Sequence, residues 1–240
     1  MAKKKVLVLA GAGFIGSNIL EELLKNNQVQ ISCPYHKKKP RVLSKKIKYF
    51  HLDLKNEKKL NKLIKKNDYV VMCGGKIFNV SNNLSKFELL NENTLIHLNV
   101  LKSVCQNNIK KYLWFSSCTG YPEIRGKLKE KFFFKNDPSF HAIPGWHSRY
   151  IEKIIEEYSK NYKTKFLSLR IPEIFGKYDN YNQKNCRTIP KMINKILSKK
   201  NFSFKLDLRS KKNYIYSSDL ANLSLKIFFK NNNNNTSLNV

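Results

Sequence analysis

The stretch Val6–Asn18, "VLVLAGAGFIGSN", decides the fold. Val6 to Leu9 read as a short buried strand. Gly11, Gly13 and Gly16 follow in a G-x-G-x-x-G spacing, and Ile15, Ile19, Leu23 and Leu24 then recur at helical intervals. Glycines let the backbone turn sharply and approach a pyrophosphate. The start of the helix offers free N–H groups and a partial positive charge. Alone, the spacing is a weak signal. Between a first strand and an amphipathic helix it predicts a dinucleotide-binding turn, with a merely tight turn as the alternative.

Outward from that turn, strand and helix patterns alternate. Val29–Cys33, Ile47–Leu52, Tyr69–Cys73, Tyr112–Phe115 and Phe166–Arg170 read as strands. The stripes around Leu60–Ile64, Leu95–Cys105, Ile151–Tyr158 and Ile189–Ile196 read as helices. This order predicts an α/β fold, a Rossmann-type doubly wound parallel sheet with helices on both faces. Residues 126–140 ("GKLKEKFFFKNDPSF") read as a basic, aromatic loop, and the tail "NNNNNTSLNV" as low complexity and mobile.

Composition narrows the possibilities. The 240 residues carry 46 Lys+Arg against 17 Asp+Glu, a formal charge of +29, which favours anionic partners. Nucleic acid is the weakest of these, because the lysines spread over many elements and no recognition motif occurs. Five scattered cysteines without a C-x-x-C pair predict neither a disulfide framework nor a metal site, and a reducing, cytoplasmic compartment. The start "MAKKKVLVLAGAGFIG" has too short an apolar run for a signal peptide, and no run approaches the ~20 apolar residues of a membrane span.

The cofactor's identity turns on the end of the second strand. An NAD site wants an acid there for the ribose 2′-hydroxyl. The chain reads "SCPYHKKKPR" over Ser32–Arg41, with no acid. His36, Lys37, Lys38 and Arg41 suit a 2′-phosphate, so NADP(H) is expected over NAD(H); solvated lysines are the alternative.

Taken together these segments resemble the extended short-chain dehydrogenase/reductases, the NAD(P)-dependent epimerase/dehydratase group that acts on nucleotide sugars. "GAGFIGSN" is similar to their cofactor fingerprint, with Ala10 where that family usually has Gly. The resemblance assigns Gly11, Gly13, Phe14, Ile15 and Gly16 to the cofactor, with Asp53 and Leu54 at the adenine. It adds Cys73, Gly74 and Gly75 after the fourth strand, and Ser116. Asn93 matches a structural Asn on the next helix. "KKYLWFSSCTGYP", Lys110–Pro122, resembles the strand carrying the catalytic Ser, which counting back from Tyr121 places at Ser117. "FLSLRIPEIFGKYDNYNQKNCRTIP" and "KKNYIYSSDLA" resemble the substrate loop and a late motif. They imply Arg187, Lys212 and Thr119 as substrate-binding residues, with Lys184 and Arg209 as further basic candidates. The substrate loop looks most like that of GDP-fucose synthase-type enzymes. Residues 1–175 would form the NAD(P)-binding domain and residues 176–240 a small, truncated substrate-binding region interleaved with the last sheet elements. Relatives continue beyond "TSLNV" and dimerise through two long helices, so a homodimer is implied.

One departure bears on chemistry. The family's Y-x-x-x-K aligns without gaps to Pro144 and Ser148 in "PGWHSRYIEK", Pro144–Lys153. A free Tyr has a pKa of about 10, and a Lys four residues on lowers it. Pro144 offers no proton and Ser148 no charge. General acid–base catalysis contributes roughly 10²–10⁴-fold, so the ordinary mechanism should be impaired. His147, three residues past Pro144, is the best replacement acid, with Tyr121, Cys118, Thr119 and Tyr150 as further candidates. In addition, Glu173 replaces an Asn and Arg187 a His of the family pattern. A sugar-nucleotide enzyme with altered acid–base groups and a non-catalytic NADP(H)-binding sensor or scaffold are the two competing expectations.

Overall fold

The computed structural model describes residues 2–75, 86–124, 126–138, 142–181, 186–198, 212–230 and 235–240. In chain order these form β1 (Lys4–Leu9), α1 (Phe14–Leu24), β2 (Val29–Tyr35), β3 (Ile47–His51), α2 (Glu57–Ile64) and β4 (Tyr69–Met72). Next come α3 (Lys86–Gln106), β5 (Lys111–Ser117), α4 (Ala142–Asn161), β6 (Lys165–Ile171) and β7 (Glu173–Phe175). The last are α5 (Thr188–Leu197), β8 (Tyr214–Tyr216), α6 (Ser217–Lys230) and β9 (Thr236–Asn239).

Seven strands form one parallel sheet in the order β3-β2-β1-β4-β5-β6-β9. β7 and β8 pair separately. Central strands are buried on both faces, which is why their sequences run apolar without alternation. On one face Leu7, Leu9, Tyr112 and Trp114 pack with Leu60, Val100, Leu101, Ile151 and Ile155 from α2, α3 and α4. On the other, Val6, Val8, Leu113 and Leu167 pack with Ile19, Leu23, Leu225 and Phe228 from α1 and α6. The doubly wound sheet read from the sequence is therefore present. The strand order reverses between β1 and β4, and that switch point opens a crevice at the strands' carboxyl ends.

Two expectations need correction. The tail is not wholly mobile: Thr236–Asn239 extends the sheet beyond β6, because β6 would otherwise expose an unpaired edge. The segment read as a loop between β5 and α4 carries core. Phe133 is fully buried, and the Arg170 guanidinium carbon lies 3.7 Å from its ring centroid. Gly120 makes room for it: a side-chain carbon there would lie 2.4 Å from the Phe133 ring.

Candidate functional site

The crevice is built from the Gly-rich turn, Cys73–Gly75 after β4, and Ser117–Thr119 after β5. Three contacts show how tightly the turn is wound. A side-chain carbon on Gly16 would lie 2.5 Å from the Ala10 carbonyl oxygen, and one on Gly11 2.5 Å from the Cys33 sulfur. One on Gly74 would lie 2.5 Å from the Ala10 Cβ. Ala10 itself has φ +56°, a left-handed conformation that glycine adopts without penalty. No side chain caps α1 at Gly13, so the N–H groups of its first turn lack an intrahelical acceptor and a side-chain partner. Glycines that bring backbone close and an uncapped helix start together fit a dinucleotide pyrophosphate. Phe14, Ile15 and Gly16 supply that first turn.

Just beyond β2, His36 Nδ1 stands 3.9 Å from Asp53 Oδ2, and His51 packs edge-on to His36. Lys37 is exposed beside them. Arg41 points elsewhere: its Nη1 donates to the Tyr178 carbonyl and ties the 176–179 turn to the segment after β2.

Ser117 sits at the end of β5. Its Oγ accepts from the Thr119 N–H at 3.2 Å and from Thr119 Oγ1 at 2.9 Å. Gly145 of α4 presses on this turn, since a side-chain carbon there would lie 2.4 Å from the Thr119 carbonyl oxygen. Pro144 and Ser148 lie on the same helix, and the Ser148 hydroxyl donates back to the Pro144 carbonyl at 3.0 Å.

The register of α4 is set by a group that sequence reading missed. Glu152, one turn beyond Ser148, is buried and pairs with Arg170 of β6 at 2.7 Å. The Ser116 hydroxyl donates to Glu152 at 2.6 Å. Ser116 was expected on the cofactor, but its side chain is buried in this network. Arg170 also donates to Tyr121 Oη at 3.2 Å, and Tyr121 donates to Asn239 at 2.6 Å. The partners lie 18 residues apart or more, so no local periodicity announced them.

The replacement acids fare unevenly. His147 is buried against His97, ring centroids 5.1 Å apart, and the Nε2 atoms of both are unpartnered among the described residues. Burial, then the neighbouring His97, push His147 down to about 3, and burial lowers His97 to about 4. Both shifts favour the neutral imidazole. Burial pushes the Cys118 thiol up to about 11. It also raises the Tyr121 phenol, which is engaged by Arg170 and Asn239. Tyr150 is exposed.

Of the substrate candidates, Arg187 pairs with Asp179 at 2.8 Å while its guanidinium lies 5.0 Å from the Phe14 ring centroid, at the mouth of the cradle. Lys212 pairs with Glu173 at 2.8 Å. Lys184 and Arg209 lie outside the described residues. Among the described residues no group of three or more His, Cys, Asp or Glu could hold a metal, and no helix is long and apolar enough to cross a membrane.

Comparison with known proteins matches residues 6–240 to the NAD dependent epimerase/dehydratase family. The chain belongs to that family. It is 25% identical to GDP-L-colitose synthase of Yersinia pseudotuberculosis, over 95% of this chain and 72% of that protein. It is 25% identical to GDP-L-fucose synthase of Dictyostelium discoideum, over 92% of this chain and 68% of that protein. Among solved structures, UDP-N-acetylglucosamine 4-epimerase from Methanobrevibacter ruminantium superposes with a TM-score of 0.84 at 22% identity, covering 100% of this chain and 77% of that one. A GDP-L-fucose synthetase from Naegleria fowleri bound to NADP gives 0.79 at 18% identity, with the same coverage of 100% and 77%. At these identities the structural likeness shows the fold. The family member is thus an NAD(P)-type Rossmann protein of the nucleotide-sugar group, and its site residues are described by its own geometry.

Proposed function

We propose that this epimerase/dehydratase family member binds NADP(H) in the Gly11–Gly16 cradle and a nucleotide sugar beside Ser117, with the family's acid–base chemistry altered or lost. The observation that carries the reading is the register of α4. The buried Glu152–Arg170 pair holds the helix against β6, and Ser148 and Pro144 occupy the positions one and two turns before Glu152. A bound dinucleotide would supply or accept hydride. The chain's own part is to seat the pyrophosphate on the first turn of α1, to place a sugar oxygen at Ser117, and to hold anionic groups with Arg187 and Lys212. In the free protein both cations are paired with carboxylates, so binding would exchange Asp179 and Glu173 for phosphate oxygens.

NADP(H) is favoured over NAD(H) because His36 and Lys37 stand at the end of β2 where an acid would serve NAD. Asp53 near His36 weakens that preference without reversing it. A homodimer through α3 and α4 is supported by Phe87, Leu95, Trp146 and Tyr150, which these helices leave exposed. Residues 1–175 would act as the dinucleotide domain and the remainder as a substrate region, although α6 and β9 return to the main sheet.

A second reading, a cofactor-binding sensor or scaffold without turnover, is favoured by the neutral, buried state of His147. Calorimetric titration with NADPH, then with 4-keto sugar nucleotides while absorbance at the reduced nicotinamide band is followed, separates the two. Binding of both with oxidation supports the enzyme, and binding without oxidation supports the sensor. Absence of dinucleotide binding would end both.

A further inference from the structure

We infer that Ser117 and Thr119 form a two-hydroxyl relay that passes a proton to the carbonyl oxygen of a bound keto sugar nucleotide, in place of the Tyr–Lys pair whose positions hold Pro144 and Ser148. The inference rests on the reading above, in which a nucleotide sugar lies at Ser117.

The geometry comes first. Ser117 Oγ already accepts two hydrogen bonds, from the Thr119 N–H and Thr119 Oγ1, so its own proton is directed away from Thr119. Both residues are part-exposed, while Ser116 and Gly120 beside them are buried. The 117–119 turn is therefore the point at which hydroxyls of this strand end reach a ligand. Gly145, packed on the Thr119 carbonyl oxygen, fixes the turn from behind.

The chemistry follows. A reduced nicotinamide dinucleotide held at the Gly11–Gly16 turn would supply hydride to the carbonyl carbon. A C–H bond forms there, and the C=O π pair moves onto oxygen. That oxygen takes the Ser117 proton, Ser117 Oγ takes the Thr119 hydroxyl proton, and Thr119 recovers one from water. An alkoxide compares in basicity with hydroxide, whose conjugate acid has a pKa of about 15.7, so a hydroxyl suffices to protonate it. The Thr119 N–H stabilises charge passing through Ser117. Loss of a stronger acid and base raises the barrier equally in both directions. Ketone reduction, the downhill direction, is therefore the one to follow, and in reverse the same two hydroxyls would carry the alcohol proton away.

The test uses the full chain with NADPH and a 4-keto-6-deoxy sugar nucleotide labelled with ¹³C at the carbonyl. Slow NADPH oxidation is expected, flat from pH 6 to 9. Ser117→Ala should lower the rate at least about 100-fold, and Thr119→Val about tenfold, with Thr119→Ser restoring it. Independently of turnover, the C=O stretch of the bound ketone should move to lower frequency in the native chain. The displacement should be smaller in Thr119→Val and absent in Ser117→Ala. The relay is overturned if Thr119→Val matches the native chain in rate and stretch. It is equally overturned by a rate that follows one titrating group, or by a ketone that binds with an unshifted stretch and no reduction. Failure of both ligands to bind would instead remove the functional reading beneath it.

Discussion

Glu152 on α4 and Arg170 on β6 meet side on, with Nη2 2.7 Å from Oε2 and Nε 3.0 Å from Oε1, both side chains buried. Ser116 completes the carboxylate's shell and Phe133 stacks on the guanidinium. This pair ties α4 to β6 two turns beyond Gly145, which packs on the Thr119 carbonyl oxygen.

Breaking the pair from one side should be costly, because the remaining charge stays buried. Glu152→Ala and Arg170→Ala are each expected to lose about 3–5 kcal/mol in urea unfolding. Glu152→Leu combined with Arg170→Met should recover much of that loss. Equal losses in the single and double variants would show that the pair does not act as a unit.

Ala10 occupies a left-handed conformation at the start of the Gly-rich turn. That conformation costs a non-glycine residue roughly 1–2 kcal/mol, against about 0.5–1 for the extra chain entropy of glycine. Ala10→Gly should therefore raise stability by a fraction of 1 kcal/mol to about 1 kcal/mol, and a lowered melting temperature would contradict this. Glycine would also remove the Cβ that faces Gly74.

The buried imidazoles make stability depend on pH. His97 and His147 are lowered from 6.5 to about 4 and about 3. Between those values and 6.5 the unfolded chain binds protons that the native chain does not, so stability falls as pH falls. The slope reaches up to about 1.4 kcal/mol per pH unit for each imidazole. Denaturant midpoints at pH 7.5, 6 and 5 should decline, and His97→Gln should flatten the decline. Midpoints that do not change with pH would contradict the burial of these rings.

Cofactor choice is tested at the end of β2. Lys37→Glu together with His36→Asp should weaken NADPH binding at least about tenfold, the scale of one lost charged hydrogen bond. NADH binding should hold or improve. A native chain that binds NADH more tightly than NADPH would refute the preference.

The sheet was legible because buried strands and amphipathic helices carry local periodicity, from Val6–Leu9 through Phe166–Arg170. The Gly-rich turn was legible because backbone crowding at Gly11 and Gly16 leaves a spacing that sequence preserves. The Glu152–Arg170–Ser116 network was not legible, since its members meet only after β5, α4 and β6 assemble. Phe133 lay within a basic stretch that suggested solvent, and its burial depends on Gly120 and two arginines distant in sequence. The burial of His147 was not legible either: helix spacing gives the direction of a side chain but not whether water reaches it. Thr236–Asn239 followed an asparagine run, and the free edge of β6 outweighed that composition.

The most direct test of the account is a calorimetric titration of the native chain and of Gly13→Asp with NADPH. Gly13 borders α1 with little packed against it, so an aspartate there leaves the core intact while placing a carboxylate where the pyrophosphate belongs. Saturable binding at one site per chain, abolished in the variant with its melting temperature preserved, is the expected result. No binding by the native chain, or equal binding by both, would contradict it.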